Sequence, residues 1–125
     1  MTENEIAAKI VNTAYDIHVK LGPGLLESVY EEIVFYELVM QGLNVERQKA
    51  IPVIWDELKM EIGFRADLIV ENKVIIELKS VEKIAPAHPK QLLTYLKISG
   101  LKLGLLINFN EKLIKDGITR IVNNL

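Results

Sequence analysis

Residues 64–80 read FRADLIVENKVIIELKS, and the way they pair with themselves decides the fold. Upstream of Glu71 the chain alternates. Met60, Ile62, Phe64, Ala66, Leu68 and Val70 fall on one side of a strand, and Glu61, Gly63, Arg65 and Asp67 on the other. After a turn around Glu71-Asn72-Lys73, a second strand sets Val74, Ile76 and Leu78 against Ile75, Glu77 and Lys79. Strands this close in sequence form a hairpin, and opposed residues of an antiparallel pair point to the same face. The apolar sides coincide when Val70 opposes Val74, Leu68 opposes Ile76 and Ala66 opposes Leu78. A slip of one residue would bury the charges and expose the aliphatics. The same register sets Asp67 against Glu77 and Arg65 against Lys79.

Opposed side chains stand about 5 Å apart at Cβ. Two carboxylates at that distance repel by about 3 kcal/mol at an effective dielectric near 20. Lys79, on the same face, offsets part of this. One ammonium does not neutralise two acids that are also losing water. Oxygen donors in a chain without cysteine suit Mg²⁺, Mn²⁺ or Ca²⁺ rather than zinc. On a solvated face the four charges would instead be a checkerboard of cross-strand ion pairs, worth little and needing no metal. Ile69 and Ile75, just beyond the acids on the same face, favour a covered site.

Working outward, Thr2 and Glu5 have capping-box spacing, and Ile6, Ile10, Ala14, Ile17 and Leu21 recur at helical steps. A helix is predicted over residues 3–20, stopped by Gly22-Pro23-Gly24. A second helix over about 25–41 is apolar around most of its circumference, which predicts burial between other elements. Residues 45–55 read as a strand, broken or kept at an edge near Pro52, which cannot donate to a ladder. Pro86 and Pro89 bracket the start of a helix that ends at Gly100. Residues 103–109 read as a short strand buried on both faces, and 117–122 as a last edge strand or a frayed helix. His18 reads as a surface or packed histidine, and Trp55 as packing or interface.

The chain has 125 residues, 50% hydrophobic and 26% charged, which suits one globular domain over 1–125 without disulfides or structural metal. No basic segment followed by an apolar run opens the sequence, and no apolar run approaches the roughly 20 residues of a spanning helix. The expected setting is cytoplasmic, away from membranes. A net charge of −2 argues against an extended, sequence-indifferent grip on nucleic acid. From Lys83 to Lys102, however, the chain carries four lysines and no acid.

The order Asp67, then Glu77-Leu78-Lys79 on the next strand, resembles the core of the PD-(D/E)XK nuclease superfamily. Gly24-Leu25-Leu26-Glu27-Ser28-Val29-Tyr30 is similar to the signature of the GxxExxY proteins, and Gln91-Leu92-Leu93-Thr94-Tyr95 to the QxxxY motif of its exonuclease-like branch. The superfamily's proline is Ala66 here. The resemblance covers nearly the whole chain. It implies an α/β (α+β) fold with a restriction-endonuclease-like core, a mixed sheet flanked by helices in the order α-α-β-β-β-α-β, with a short final strand at 117–122 if that segment is extended. It further implies Glu27, Asp67 and Glu77 as ligands of Mg²⁺, with Mn²⁺ as substitute. Asp67, Glu77 and Lys79 would be catalytic, with Lys79 positioning the attacking water, and Gln91 and Tyr95 would touch the substrate. Three acids and Lys79 sum to −2, which one divalent ion cancels. The activity implied is hydrolysis of phosphodiester bonds in DNA; the alternative is a catalytically silent nucleic-acid-binding or assembly module. A lone domain of about 14 Å radius of gyration reaches only a short stretch of nucleic acid, and the aliphatic content leaves surface for a homodimer.

Overall fold

The computed structural model describes residues 1–125 apart from the side chain of Ile62, whose predicted place on the apolar side lies outside the described residues. Helix α1 (Glu3–Leu21) opens with the predicted capping box: the Thr2 hydroxyl accepts from the Glu5 N–H and the Glu5 carboxylate accepts from the Thr2 N–H. Gly22, at φ 67°, ends it in a conformation that side chains resist, and its N–H returns to the His18 carbonyl. Helix α2 (Glu27–Met40) follows. Next come strands β1 (Val45–Trp55), β2 (Leu58–Val70) and β3 (Val74–Lys79), helix α3 (Ala87–Ser99) and strand β4 (Leu103–Asn108). A short 3₁₀ turn at Ile114–Gly117 leads into β5 (Ile118–Val122), so the tail is a strand and not a frayed helix.

The five strands form one mixed sheet in the order β1-β2-β3-β4-β5. β3 and β4 are parallel, joined through α3, and the other neighbours are antiparallel. Parallel neighbours need such a crossover, which covers one face of the sheet. Glu71 and Asn72 both take positive φ (54° and 53°), giving the primed turn whose twist matches a hairpin, closed by the Lys73 N–H on the Val70 carbonyl. Pro52 lies on the edge strand, at a break in register between Ile51 and Val53. β4 is buried along its whole length, as its continuous apolar run predicts.

The sheet separates two cores. On one face Ile6, Ile10, Ala14 and Ile17 of α1 and Tyr30, Val34 and Leu38 of α2 pack on Leu68, Val70, Ile76, Leu78, Leu105 and Ile107. On the other, Leu92 and Leu96 of α3 pack on Phe64, Ala66, Ile69, Ile75 and Leu106.

Two expectations need correction. Helix α2 is not buried all round: Val29, Tyr36, Val39 and Met40 are exposed, and only one stripe faces the sheet. The predicted alternation of β2 also fails at Asp67. Phe64 and Ala66 lie in the α3-side core whereas Leu68 and Val70 lie in the other, so Ala66 does not share a core with Leu78. The β2–β3 pairing runs as predicted through Val70↔Val74 and Leu68↔Ile76 and goes no further.

Candidate active site

Asp67 sits where the pairing lapses on both sides. On β1 its neighbours pair normally, Leu68 with Arg47 and Ala66 with Lys49, but the intervening Gln48 has φ +50° and leaves the ladder. On β3 the Leu78 N–H donates to Asp67 Oδ2 at 2.8 Å. A side-chain carboxylate has thus taken a strand N–H that a ladder would have given to a carbonyl. That exchange explains both the end of the predicted register and the turn of β2 between the two cores.

Leu78 points to the α1/α2 side, so Glu77 points to the α3 side, as Ile75 does. Glu77 is only 9% exposed, and its Oε1 is buried with no hydrogen-bond partner among the described residues. Its carboxyl is pushed up to about 9, chiefly by burial and then by the negative charge and hydrogen-bonding of Asp67, against the pull of the Lys79 ammonium. The solvated checkerboard is therefore excluded. Glu77 is out of water, Lys79 is half-buried, and Arg65 turns away to donate to the Gln48 carbonyl at 3.3 Å.

Tyr95 of α3 closes the site from that face. Its ring stacks on Phe64 with centroids 3.7 Å apart, and its phenol is raised above the usual range by burial and by the charges of Glu77 and Asp67. Gln91, one turn earlier on the same helix, is exposed.

On the α2 side Asp67 lines a cleft of about 460 Å³ with Glu27, Ser28, Glu31, Arg47, Gln48 and Leu78. Glu27 is exposed at the first position of α2 and accepts from the Ser80 N–H at 3.3 Å, just past the end of β3. Tyr30, the aromatic of the GxxExxY-like stretch, is wholly buried and stacks on Phe109. Its hydroxyl donates to the Gly22 carbonyl at 2.6 Å and accepts from the Leu25 N–H, so it fixes the loop that presents Glu27. The exit of β3 is held by buried Asn108, whose amide donates to the Val81 carbonyl and accepts from the Val81 and Asn110 N–H groups.

The structure thus brings Asp67, Glu77, Lys79 and Tyr95 together and sets Glu27 at the mouth of the adjoining cleft. Among the described residues no three His, Cys, Asp or Glu side chains converge closely enough to hold an ion. Asp67 and Glu77 nonetheless offer an all-oxygen donor set with one unpartnered buried oxygen, which is chemistry that fits a hard divalent cation.

Four contributors escaped the sequence reading: Glu31, Arg47, Gln48 and Asn108. Glu31 accepts from Arg47 Nε at 2.8 Å and from Gln48 Nε2 at 2.7 Å. Its spacing of four from Glu27 was a usable signal, as was a polar Asn at the end of an otherwise apolar strand. Gln48 carried none, because its role follows from a backbone conformation.

The family description "PD-(D/E)XK nuclease superfamily" matches residues 4–121. No curated protein matches. A solved structure titled "Crystal structure of SSO0001" is similar over 96% of this chain and 79% of that one, with 22% identity and a TM-score of 0.49. Among the described residues no helix is long and apolar enough to cross a membrane.

Proposed function

Because the chain belongs to the PD-(D/E)XK nuclease superfamily, we propose that it is a metal-dependent nuclease of the GxxExxY kind that hydrolyses phosphodiester bonds in DNA. The observation that carries this reading is Glu77: a buried carboxyl with an unpartnered oxygen, pressed against Asp67 and beside Lys79. Nothing in packing rewards such a group, and removing a carboxylate from water without a partner is costly. Asp67 and Glu77 would hold Mg²⁺ or Mn²⁺, with Glu27 approaching from the cleft mouth. A bound divalent cation supplies Lewis acidity toward a phosphoryl oxygen and acidifies water.

The chain's own residues do the rest. Asp67, tied to the Leu78 N–H, keeps its carboxylate aimed across the end of β3. Lys79 holds the attacking water by donating to it and balances negative charge that grows on the phosphoryl oxygens. Tyr95 and Gln91, on one face of α3, steady the substrate strand, and the Tyr95–Phe64 stack fixes that ring. Exposed Lys90 and Lys97 lie on the same helix for phosphates to meet.

The test is cleavage of single- and double-stranded DNA by pure protein with Mg²⁺ or Mn²⁺. Wild type is expected to cut and Glu77→Ala to lose at least about a hundredfold in rate, on the scale of removing a group that stabilises transition-state charge. Absence of cleavage, or equal cleavage by Glu77→Ala, rejects the reading.

A further inference from the structure

We infer that Gln48 is a positioning residue for this site: the NH2 group of its side-chain amide donates to both Asp67 and Glu31, so that Asp67 is oriented before any cation arrives. Two independent observations carry this. Gln48 alone on β1 takes a left-handed backbone, φ +50°, in mid-strand between two normally paired residues. Non-glycine residues avoid that region, and one held there inside a regular strand marks a conformation imposed by its surroundings. The result is a side chain released from strand alternation. Its Nε2 reaches Glu31 Oε1 at 2.7 Å and Asp67 Oδ1 at 3.3 Å.

The electrostatics give the bridge its purpose. Glu31 is 8% exposed and would repel Asp67 across the cleft. Arg47, also bonded to Glu32 and seated near the Phe35 ring, takes up the Glu31 charge through Nε at 2.8 Å. The Gln48 amide, neutral and a pure donor on its nitrogen, then joins the two carboxylates without adding charge. Asp67 accepts at Oδ2 from the Leu78 N–H and at Oδ1 from Gln48. Each oxygen keeps free lone pairs, so both remain able to ligate. A donor that fixes a ligating carboxylate from behind commonly accounts for ten- to a hundredfold in metal affinity.

The inference rests on the cation-binding reading of Asp67 and Glu77, and its test separates the two. Mn²⁺ is titrated calorimetrically into wild type, Gln48→Gly and Gln48→Asn, and Tm is recorded with and without Mn²⁺. Glycine accepts φ +50° without steric strain, and asparagine tolerates it with an amide too short to reach both acids. Both variants are expected to bind Mn²⁺ at least tenfold more weakly and to show a smaller Mn²⁺-induced rise in Tm. The metal-free Tm of Gln48→Gly should fall only slightly, because relief of the backbone strain offsets part of the lost hydrogen bonds. A Gln48 that mattered only for stability would lower the metal-free Tm and leave Mn²⁺ affinity unchanged, which overturns the inference. Equal Mn²⁺ binding by all three proteins also overturns it while leaving the cation site standing. No Mn²⁺ binding by wild type removes the cation site, and the inference with it.

Discussion

Glu77 shows how a single side chain can tie stability to pH and to a ligand. Its carboxyl is raised from an ordinary 4.5 to about 9, first by burial and then by Asp67. The folded chain therefore holds a proton that the unfolded chain releases, and stability falls with rising pH wherever the folded state binds more protons. The contribution is complete below about pH 4.5 and is lost as pH approaches 9. The slope within that window is up to about 1.4 kcal/mol per pH unit for one proton. Denaturant unfolding of metal-free protein at pH 5, 7 and 9 is expected to show this decline. Glu77→Gln, which keeps the shape and cannot ionise, should flatten it and be the more stable protein at pH 9. Saturating Mn²⁺ should flatten it in wild type, because a cation binds the ionised form and stabilises the fold by mass action. A wild-type slope no steeper than that of Glu77→Gln would remove the argument from burial. The sequence placed Asp67 and Glu77 on adjacent strands and so near each other, but the register it predicted, with Asp67 directly opposite Glu77, stops at Leu68↔Ile76. It could not show that Asp67 would take a backbone N–H, because side-chain competition for a strand donor leaves no trace in hydrophobic periodicity.

At the scale of elements, the site depends on two seats, one on each side of the sheet. Helix α3 approaches β4 at Gly104, where a Cβ would lie 2.9–3.0 Å from the Leu92 side-chain carbons. Leu92 is 1% exposed, so it has little room to yield. Gly104→Ala should lift the helix that carries Gln91 and Tyr95 and cost about 1–3 kcal/mol, the usual penalty of overpacking. Thermal unfolding checks the cost, and a rise in KM for DNA larger than the fall in kcat would show that the helix positions substrate. The second seat is the loop between α1 and α2. Tyr30→Phe removes the hydroxyl bonded to the Gly22 carbonyl and the Leu25 N–H and should cost about 1–2 kcal/mol. Mn²⁺ affinity is expected to fall as well if Glu27 is a ligand, because this loop leads directly into it. Helices, strands and turns were legible from caps, glycines, prolines and alternation, and β1, β4 and α3 follow those signals. The miss at α2 has a simple cause. Its apolar residues encircle the helix, but Tyr36, Val39 and Met40 remain exposed because no other described element covers that side.

The whole molecule is a sheet with apolar layers on both faces, and this fixes how it should unfold. Ile69 and Ile75 face α3, while Leu68, Val70, Val74 and Ile76 of the same two strands face α1 and α2. Neither core can be lost without exposing the backs of strands that support the other. Independent melting of α3 would also open the crossover between β3 and β4, whose residues pair from Val74↔Leu103 to Lys79↔Asn108. One cooperative transition is the expected behaviour. Ile10 and Leu96 are both fully buried, in opposite cores. Ile10→Ala and Leu96→Ala should each lower stability by about 2–5 kcal/mol, through lost burial and the cavity left behind. They should also shift the same single transition, seen alike by far-ultraviolet circular dichroism and by fluorescence of the sole tryptophan, Trp55, which is 72% exposed on the β1 edge. The double variant should show additive losses, since sites in separate layers share no partners. A transition that splits in Leu96→Ala, with the α1/α2 layer surviving the loss of α3, would mean that Tyr95 and Gln91 ride on a separately melting element. In that case substrate contact and the carboxylate pair would be energetically uncoupled, and Gly104→Ala should then change KM without changing Mn²⁺ affinity.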